Sequence, residues 1–176
     1  MPQPPRRLDA EQLWEYAVRV LAGRACSTAE MQEKLRNRAA RASDVPAVIA
    51  RLKDAGYLDD ARFAESFAAA RLENRQFGRF RVLRDLRGRR VAATVADRAV
   101  RTAYQGADEG QLIEEYIQRR LRPDALADER GLAAAYRKLM RAGFSATSIL
   151  QALKRRSQHP GLLDMFEPPQ EPEHEP

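Results

Sequence analysis

An apolar pattern recurs along this chain at a nearly constant offset, and that recurrence limits the available folds more than any other feature. Met31 and Leu35 stand in register with Val82 and Leu86, and these with Ala135 and Leu139. Ala40 matches Val91 and Phe144, and Val45 matches Ala96 and Ile149. Val48 and Ile49 match Ala99 and Val100, then Ala152 and Leu153. The shift is 51 residues and then 53, and it runs across two helices without a gap. Unrelated amphipathic helices would not hold one offset so far, so the chain is an internal repeat. The third copy needs an extra loop, RPDALADE, to bring its first helix into line.

Each copy reads as three helices. Apolar residues recur at helical spacing, and no stretch alternates β-branched and polar residues as a half-buried strand would. In the first helix Leu13, Trp14, Tyr16, Ala17, Val18, Val20 and Leu21 fill one wide arc. The spacing predicts helices over 12–24, 28–38 and 44–55, then 60–75, 79–89 and 92–104, then 109–122, 128–142 and 146–156. Pro46 falls in the first turn of a helix, where its ring is tolerated, and Pro123 in a loop. The fold expected is all-α, with three-helix, helix-turn-helix-like repeats at 12–57, 58–106 and 107–158. A flexible N-terminus, 1–11, precedes them, and an acidic, proline-rich tail, 159–176, follows.

Residues 55–67, AGYLDDARFAESF, carry the adjacent carboxylates Asp59 and Asp60. Each residue there has a structural task. Gly56 suits a left-handed helix C-cap, and Tyr57 folds back on Leu52. Asp59 is the N-cap of the next helix, Asp60 adds negative charge to its first turn, and Leu58 staples onto Phe63. The third copy repeats the device with Gly143, Phe144 packed on Leu139 and Ile149, and Ser145 as the next cap. This account leaves the carboxylates little room for acid–base work.

Other catalytic signals are missing too. His159 and His174 lie in or beside the tail, and there is no glycine-rich phosphate loop or metal-ligand cluster. Cys26 is the one cysteine, so no internal disulfide is available, and it reads as a packing residue. No apolar run reaches membrane-span length and no signal peptide is legible, which gives a cytoplasmic, non-enzymatic protein without cofactors as the expectation.

Charge is unevenly spread. Residues 160–176 hold five acids and no Lys or Arg, so the rest carries 31 basic and 20 acidic residues, a net of +11. That surplus favours a polyanionic partner. It is clustered: 71–104 contains ten Arg against three acids, and 137–156 has basic residues and no acid.

The joint Gly56-Tyr57-Leu58-Asp59-Asp60 followed by Arg62, Phe63, Ala64 and Phe67 resembles the RecX family of regulators of the RecA recombinase. Arg71, Gly78 and Arg141-Ala142-Gly143-Phe144-Ser145 match as well, and the likeness runs from about Leu13 to Arg156. Two turns depart from the family, which has a glycine step between the second and third helices of each unit. Ala39-Ala40 and Arg90-Val91 stand there, and a non-glycine left-handed residue costs on the order of 1 kcal/mol, so these turns are expected to be shaped differently. The resemblance implies an elongated, curved, non-enzymatic protein. It would bind the RecA filament and its DNA in the filament groove, and suppress ATP hydrolysis, strand exchange and co-protease action.

The contacts expected from charge clustering are Arg79, Arg81, Arg84 and Arg87 in one group. Arg137, Lys138, Arg141, Lys154, Arg155 and Arg156 form the other. Arg81 and Arg84 are expected to point away from the apolar side made by Phe80, Val82, Leu83 and Leu86. A solvated helix face, or charge complementing a helix C-terminus, is the competing account. The target is single- or double-stranded DNA without sequence preference, a RecA face, or both. The alternative function is a tandem helix-turn-helix transcription regulator without RecA contact. Its would-be recognition helices offer Ser43, Pro46, Ala47, Ala50 and Arg51, or Ala92, Ala93, Asp97 and Arg98, a poor set for bidentate base reading. Leu162-Leu163-Asp164-Met165-Phe166 is similar to the short motif that docks on the replication sliding clamp, without its leading Gln. The alternative role for the acidic tail is to screen the basic body, which predicts tighter DNA binding after its deletion. A monomer is the expected state.

Overall fold

The computed structural model describes residues 7–75, 77–122, 125–157, 161 and 163. Among them the regular elements are nine helices in three trios. α1 is Ala10–Gly23, α2 Thr28–Arg36 and α3 Asp44–Asp54. α4 is Asp60–Arg75, α5 Arg79–Gly88 and α6 Ala93–Ala103; α7 is Glu109–Arg120, α8 Glu129–Ala142 and α9 Ala146–Arg156. All-α architecture and the three-helix repeat therefore hold. Polar residues at the starts set the boundaries. Asp9 and Ser27 form capping boxes with Gln12 and Glu30. Asp108, Asp128 and Ser145 each accept from the N–H three residues on, each cap worth about 1 kcal/mol. The Asp9 cap starts α1 at Ala10, two residues earlier than its apolar arc suggests.

The chain divides into two compact units. The first comprises residues 1–67 and 85–100. Its core holds Leu13, Ala17, Met31, Leu35, Val45, Val48, Leu52 and Leu58. The second comprises residues 68–84 and 101–176. Its core holds Ile113, Tyr116, Leu132, Leu139, Phe144, Ile149, Leu153 and Leu163. Every position of the repeat register is buried except one: Ala40 is exposed, and Ala39 takes its place at 5% exposure.

That exception has a backbone cause. Ala39, Arg90 and Gly143 are equivalent by the offsets, each in the turn after the second helix. Gly143 turns left-handed, at φ 91°, as a glycine can. Arg90 makes the same turn at φ 58°, the one non-glycine described residue with positive φ. Ala39 does not. Instead Leu8 pairs with it in a parallel bridge, its N–H donating to Arg38 O at 2.8 Å and its carbonyl accepting from Ala40 N at 2.8 Å. So one of the two departing turns keeps the left-handed form and the other is rebuilt around Leu8.

Arg90→Gly is thus expected to stabilise the protein. Relief of the left-handed strain is worth about 1 kcal/mol, while the Arg90–Glu33 pair it removes is well exposed, at 64% and 56%, and contributes little. A urea midpoint shifted upward with unchanged m-value would establish it; a downward shift would show that the pair outweighs the strain.

The 56–60 joint folds largely as read. Gly56 has φ 72°, and Tyr57 N–H donates to Leu52 O at 2.9 Å. The Tyr57 ring meets the edge of Trp14 at 5.8 Å and stays 47% exposed. Phe63 lies 5.9 Å from Phe67 along its own helix. Asp59 caps α4, accepting from Ala61 N at 2.9 Å and Arg62 N at 3.0 Å. The Arg62 N–H, then that of Ala61, holds its carboxyl below the ordinary 3.8. A carboxyl depressed in the folded state adds stability above its unfolded pKa and loses it as pH falls through the folded value. Asp59→Asn is therefore expected to flatten the acid limb of the stability curve below about pH 4. Unfolding midpoints of the two proteins across that range check this, and parallel curves would count against it.

Candidate polyanion-binding surface

The two arginine-rich segments meet within the second unit where α5 begins on the end of α8. A helix start leaves N–H groups unpaired and a helix end leaves carbonyls unpaired. Here each set satisfies the other. Gly78 N–H donates to Ala142 O at 2.9 Å and Phe80 N–H to Gly143 O at 3.2 Å. Arg84 adds a side-chain bond to Arg141 O at 3.2 Å, and Arg81 a longer one at 3.5 Å. Phe77 packs on the core of this unit, and its carbonyl accepts from Tyr104 OH.

The joint holds Arg79, Arg81, Arg84 and Arg141 in one neighbourhood. The Arg79 guanidinium lies 4.7 Å over the ring of Phe80, which is 36% exposed. Arg81 lies 4.0 Å over Phe77. It is half-buried, so it does not point away from the apolar side as expected; the Phe77 ring, four residues earlier, draws the guanidinium inward. Arg79, Arg84 and Arg141 are exposed. Arg137 is exposed one turn before Arg141, a spacing that puts both on the same face of α8. A surface of fixed guanidinium groups beside an exposed aromatic ring can hold phosphates and stack a base, or accept an acidic protein face.

The remaining expected residues are elsewhere. Arg87 belongs to the first unit and pairs with Asp97 at 3.3 Å. Lys138 donates to Arg120 O at the end of α7. Arg155 and Arg156 both turn to Glu114, Arg155 at 3.9 Å. Lys154 is exposed near the end of α9. Leu163 is 1% exposed in the core, while Leu162, Asp164, Met165 and Phe166 lie outside the described residues.

Sequence reasoning missed the polar joints. Asp60 accepts from Thr28 N at 2.7 Å, so it caps α2 rather than serving only its own helix. Ser27 Oγ donates to Arg89 O at 2.6 Å, and Arg89 pairs with Glu30 at 2.7 Å. Glu109 accepts from Ser145 N, Ser145 Oγ and Ser148 Oγ at 2.7–2.9 Å. The offsets offered one signal: Ser27 and Arg89 are equivalent to Gly78 and Ala142, so the same joint occurs twice. Among the described residues no group of three metal-ligating side chains forms, and no helix is long and apolar enough to cross a membrane. Cys26 is buried at 4% exposure, and burial pushes its thiol pKa up, away from nucleophilic use.

Comparison with known proteins fits this architecture. The chain is 32% identical over 142 residues to Regulatory protein RecX of Trichlorobacter lovleyi, covering 79% of this chain and 92% of that one. The chain belongs to the RecX family. The RecX relative of Deinococcus radiodurans is 30% identical over 168 residues, covering 96% of this chain and 76% of that one. The family description "RecX, second three-helix domain" matches residues 59–100, which include the 56–60 joint's N-cap and all of α5. The crystal structure of RecX from Lactobacillus salivarius superposes with a TM-score of 0.65 at 17% identity, over 89% of this chain and 97% of that one. A second RecX crystal structure gives 0.69 at 16% identity, over 83% and 73%. At such identities the structures speak for the shared fold alone. RecX proteins are named as regulators, and the chain is a member of a family of regulatory proteins.

Proposed function

We propose that this protein binds the RecA recombinase and its DNA filament and lowers the filament's ATP hydrolysis, strand exchange and co-protease action, without chemistry or a cofactor of its own. The observation that carries the reading is the likeness to Regulatory protein RecX over nearly the full length of the relative. The arginine surface at the α5–α8 joint supports it, because a nucleoprotein filament presents phosphates and acidic side chains at high density. Arg79, Arg81, Arg84, Arg137 and Arg141 are the contacts; Arg155 and Arg156, held by Glu114, are secondary. Binding is sequence-nonspecific on single- and double-stranded DNA, since contacts to phosphates carry no sequence information. The repeats at 12–57, 58–106 and 107–158 act together in a cytoplasmic monomer. Docking on the sliding clamp loses support because Leu163, inside the five-residue segment, is already buried.

The test is single-strand-dependent ATP hydrolysis by the cognate RecA with this protein at substoichiometric levels. A steep fall supports the regulator. Unchanged hydrolysis beside tight binding to DNA alone would leave a tandem helix-turn-helix DNA-binding protein in its place.

A further inference from the structure

Leu163 roots the acidic end of the chain in the unit that carries the arginine surface. It lies in the core cluster with Ile113, Leu139, Phe144 and Leu153 at 1% exposure. Phe77 packs on the same cluster and carries the Arg81 guanidinium 4.0 Å over its ring. The root of the tail and the arginine surface are thus built on one core. From Leu163 the sequence continues through thirteen residues to Pro176, with Asp164, Glu167, Glu171, Glu173 and Glu175 and no Lys or Arg. A chain of that length spans up to about 40 Å, and a folded unit of this size has a radius of gyration of about 12 Å. The five carboxylates can therefore reach the exposed Arg79, Arg84, Arg137 and Arg141 of their own unit.

We propose that residues 164–176 occupy the arginine surface of their own molecule and compete there with the polyanion. This rests on the reading of that surface as a polyanion site. Tethering at Leu163 gives the carboxylates an effective concentration of order mM at the guanidinium groups. The contact is electrostatic and is screened by salt, with a Debye length of about 10 Å at 0.1 M. The consequence is a threshold. Sparse anions fail to displace the tail, and a filament with closely spaced phosphates succeeds.

The decisive variant neutralises the tail at constant length: Asp164→Asn with Glu167→Gln, Glu171→Gln, Glu173→Gln and Glu175→Gln, keeping Leu163. Its affinity for a labelled single-stranded oligonucleotide, read by anisotropy, is expected to be about five-fold tighter at 50 mM salt, and equal at about 500 mM. A general effect of net charge is separated by a nitroxide on Gln170→Cys, the native Cys26 being buried. At low salt the label should broaden the amide resonances of Phe80, Arg84 and Arg141, and release them at high salt. Tighter binding without that local broadening would reduce the tail to a net-charge effect and overturn the proposal; so would equal affinities. If neither protein binds the oligonucleotide, the polyanion reading falls, and the broadening alone decides whether the tail sits on the arginines.

Discussion

Gly78→Ala is expected to cost about 3 kcal/mol or more of stability, at the upper end for an overpacked site and a fifth or more of what a typical domain possesses. A β-carbon at Gly78 would stand 2.0 Å from Gly143 O, 2.2 Å from Gly143 C and 2.4 Å from Phe144 N. All three are backbone atoms, which cannot rotate aside as a flexible side chain would. Making room means separating α5 from the end of α8. That releases the bonds from Gly78 N to Ala142 O and from Phe80 N to Gly143 O, each worth about 0.5–1.5 kcal/mol. Gly143→Ala meets the same wall from the other side, with Arg81 N at 2.2 Å and a φ of +91°. Gly88→Ala is the control. It closes the same helix with nothing within 4 Å, and it should be neutral or gain up to about 1 kcal/mol. Urea unfolding of the three proteins is the measurement. A Gly78→Ala protein within about 1 kcal/mol of the parent would mean that the joint is looser than described.

The second large effect concerns function. On the proposed function, reversing Arg84 and Arg141 together, as Arg84→Glu with Arg141→Glu, is expected to weaken the proposed inhibition of RecA-catalysed ATP hydrolysis by at least about ten-fold. The salt dependence of DNA binding should become shallower by about two units of slope, one for each lost phosphate contact. The fold should survive, since both side chains are exposed, Arg141 contributes only its backbone carbonyl to the joint, and the Arg84 bond to that carbonyl, which is lost, lies at the surface. Circular dichroism and thermal unfolding confirm that point. Arg119→Glu, an exposed arginine on α7, serves as the comparison for lost positive charge in general. Full inhibition by the double variant, or equal loss with Arg119→Glu, would move the contact away from the α5–α8 joint.

The helices were legible because their determinants are local. α4 and α9 begin and end where periodicity and capping residues place them, and Gly56 and Gly143 turn as their sequence contexts require. The register of the repeat was legible for the same reason, and it failed at Ala40. There a distant residue, Leu8, supplies the pairing that a left-handed glycine would have made unnecessary. The edge contact of the Tyr57 ring with Trp14 was not legible, because Trp14 is far away in sequence. At the candidate site, charge clustering picked out two segments that the fold brings together at the α5–α8 joint, and could not sort their members. Whether an arginine faces solvent, a ring or a carboxylate depends on elements that only the fold brings near. Phe77 turns Arg81 inward, and Glu114 draws in Arg155 and Arg156. Asp60 is the clearest loss: its position in α4 is obvious, and its partner lies 32 residues earlier, at Thr28.

The recurring joint has one more implication. Ser27, Gly78 and Gly131 are equivalent by the repeat offsets, and a backbone carbonyl closes on each. Arg89 O meets Ser27, and Ala142 O meets Gly78, both from the following repeat. At Gly131 the carbonyl is Ala125 O, 2.5 Å from where a β-carbon would stand, and it comes from the extra loop of the third repeat itself. The last module thus plugs its own socket, as Leu8 covers the turn at Ala39 in the first. Copying residues 107–158 to lengthen the array would therefore fail to propagate the joint. An engineer would first have to shorten the chain ahead of Asp128, keeping that residue as the cap of α8.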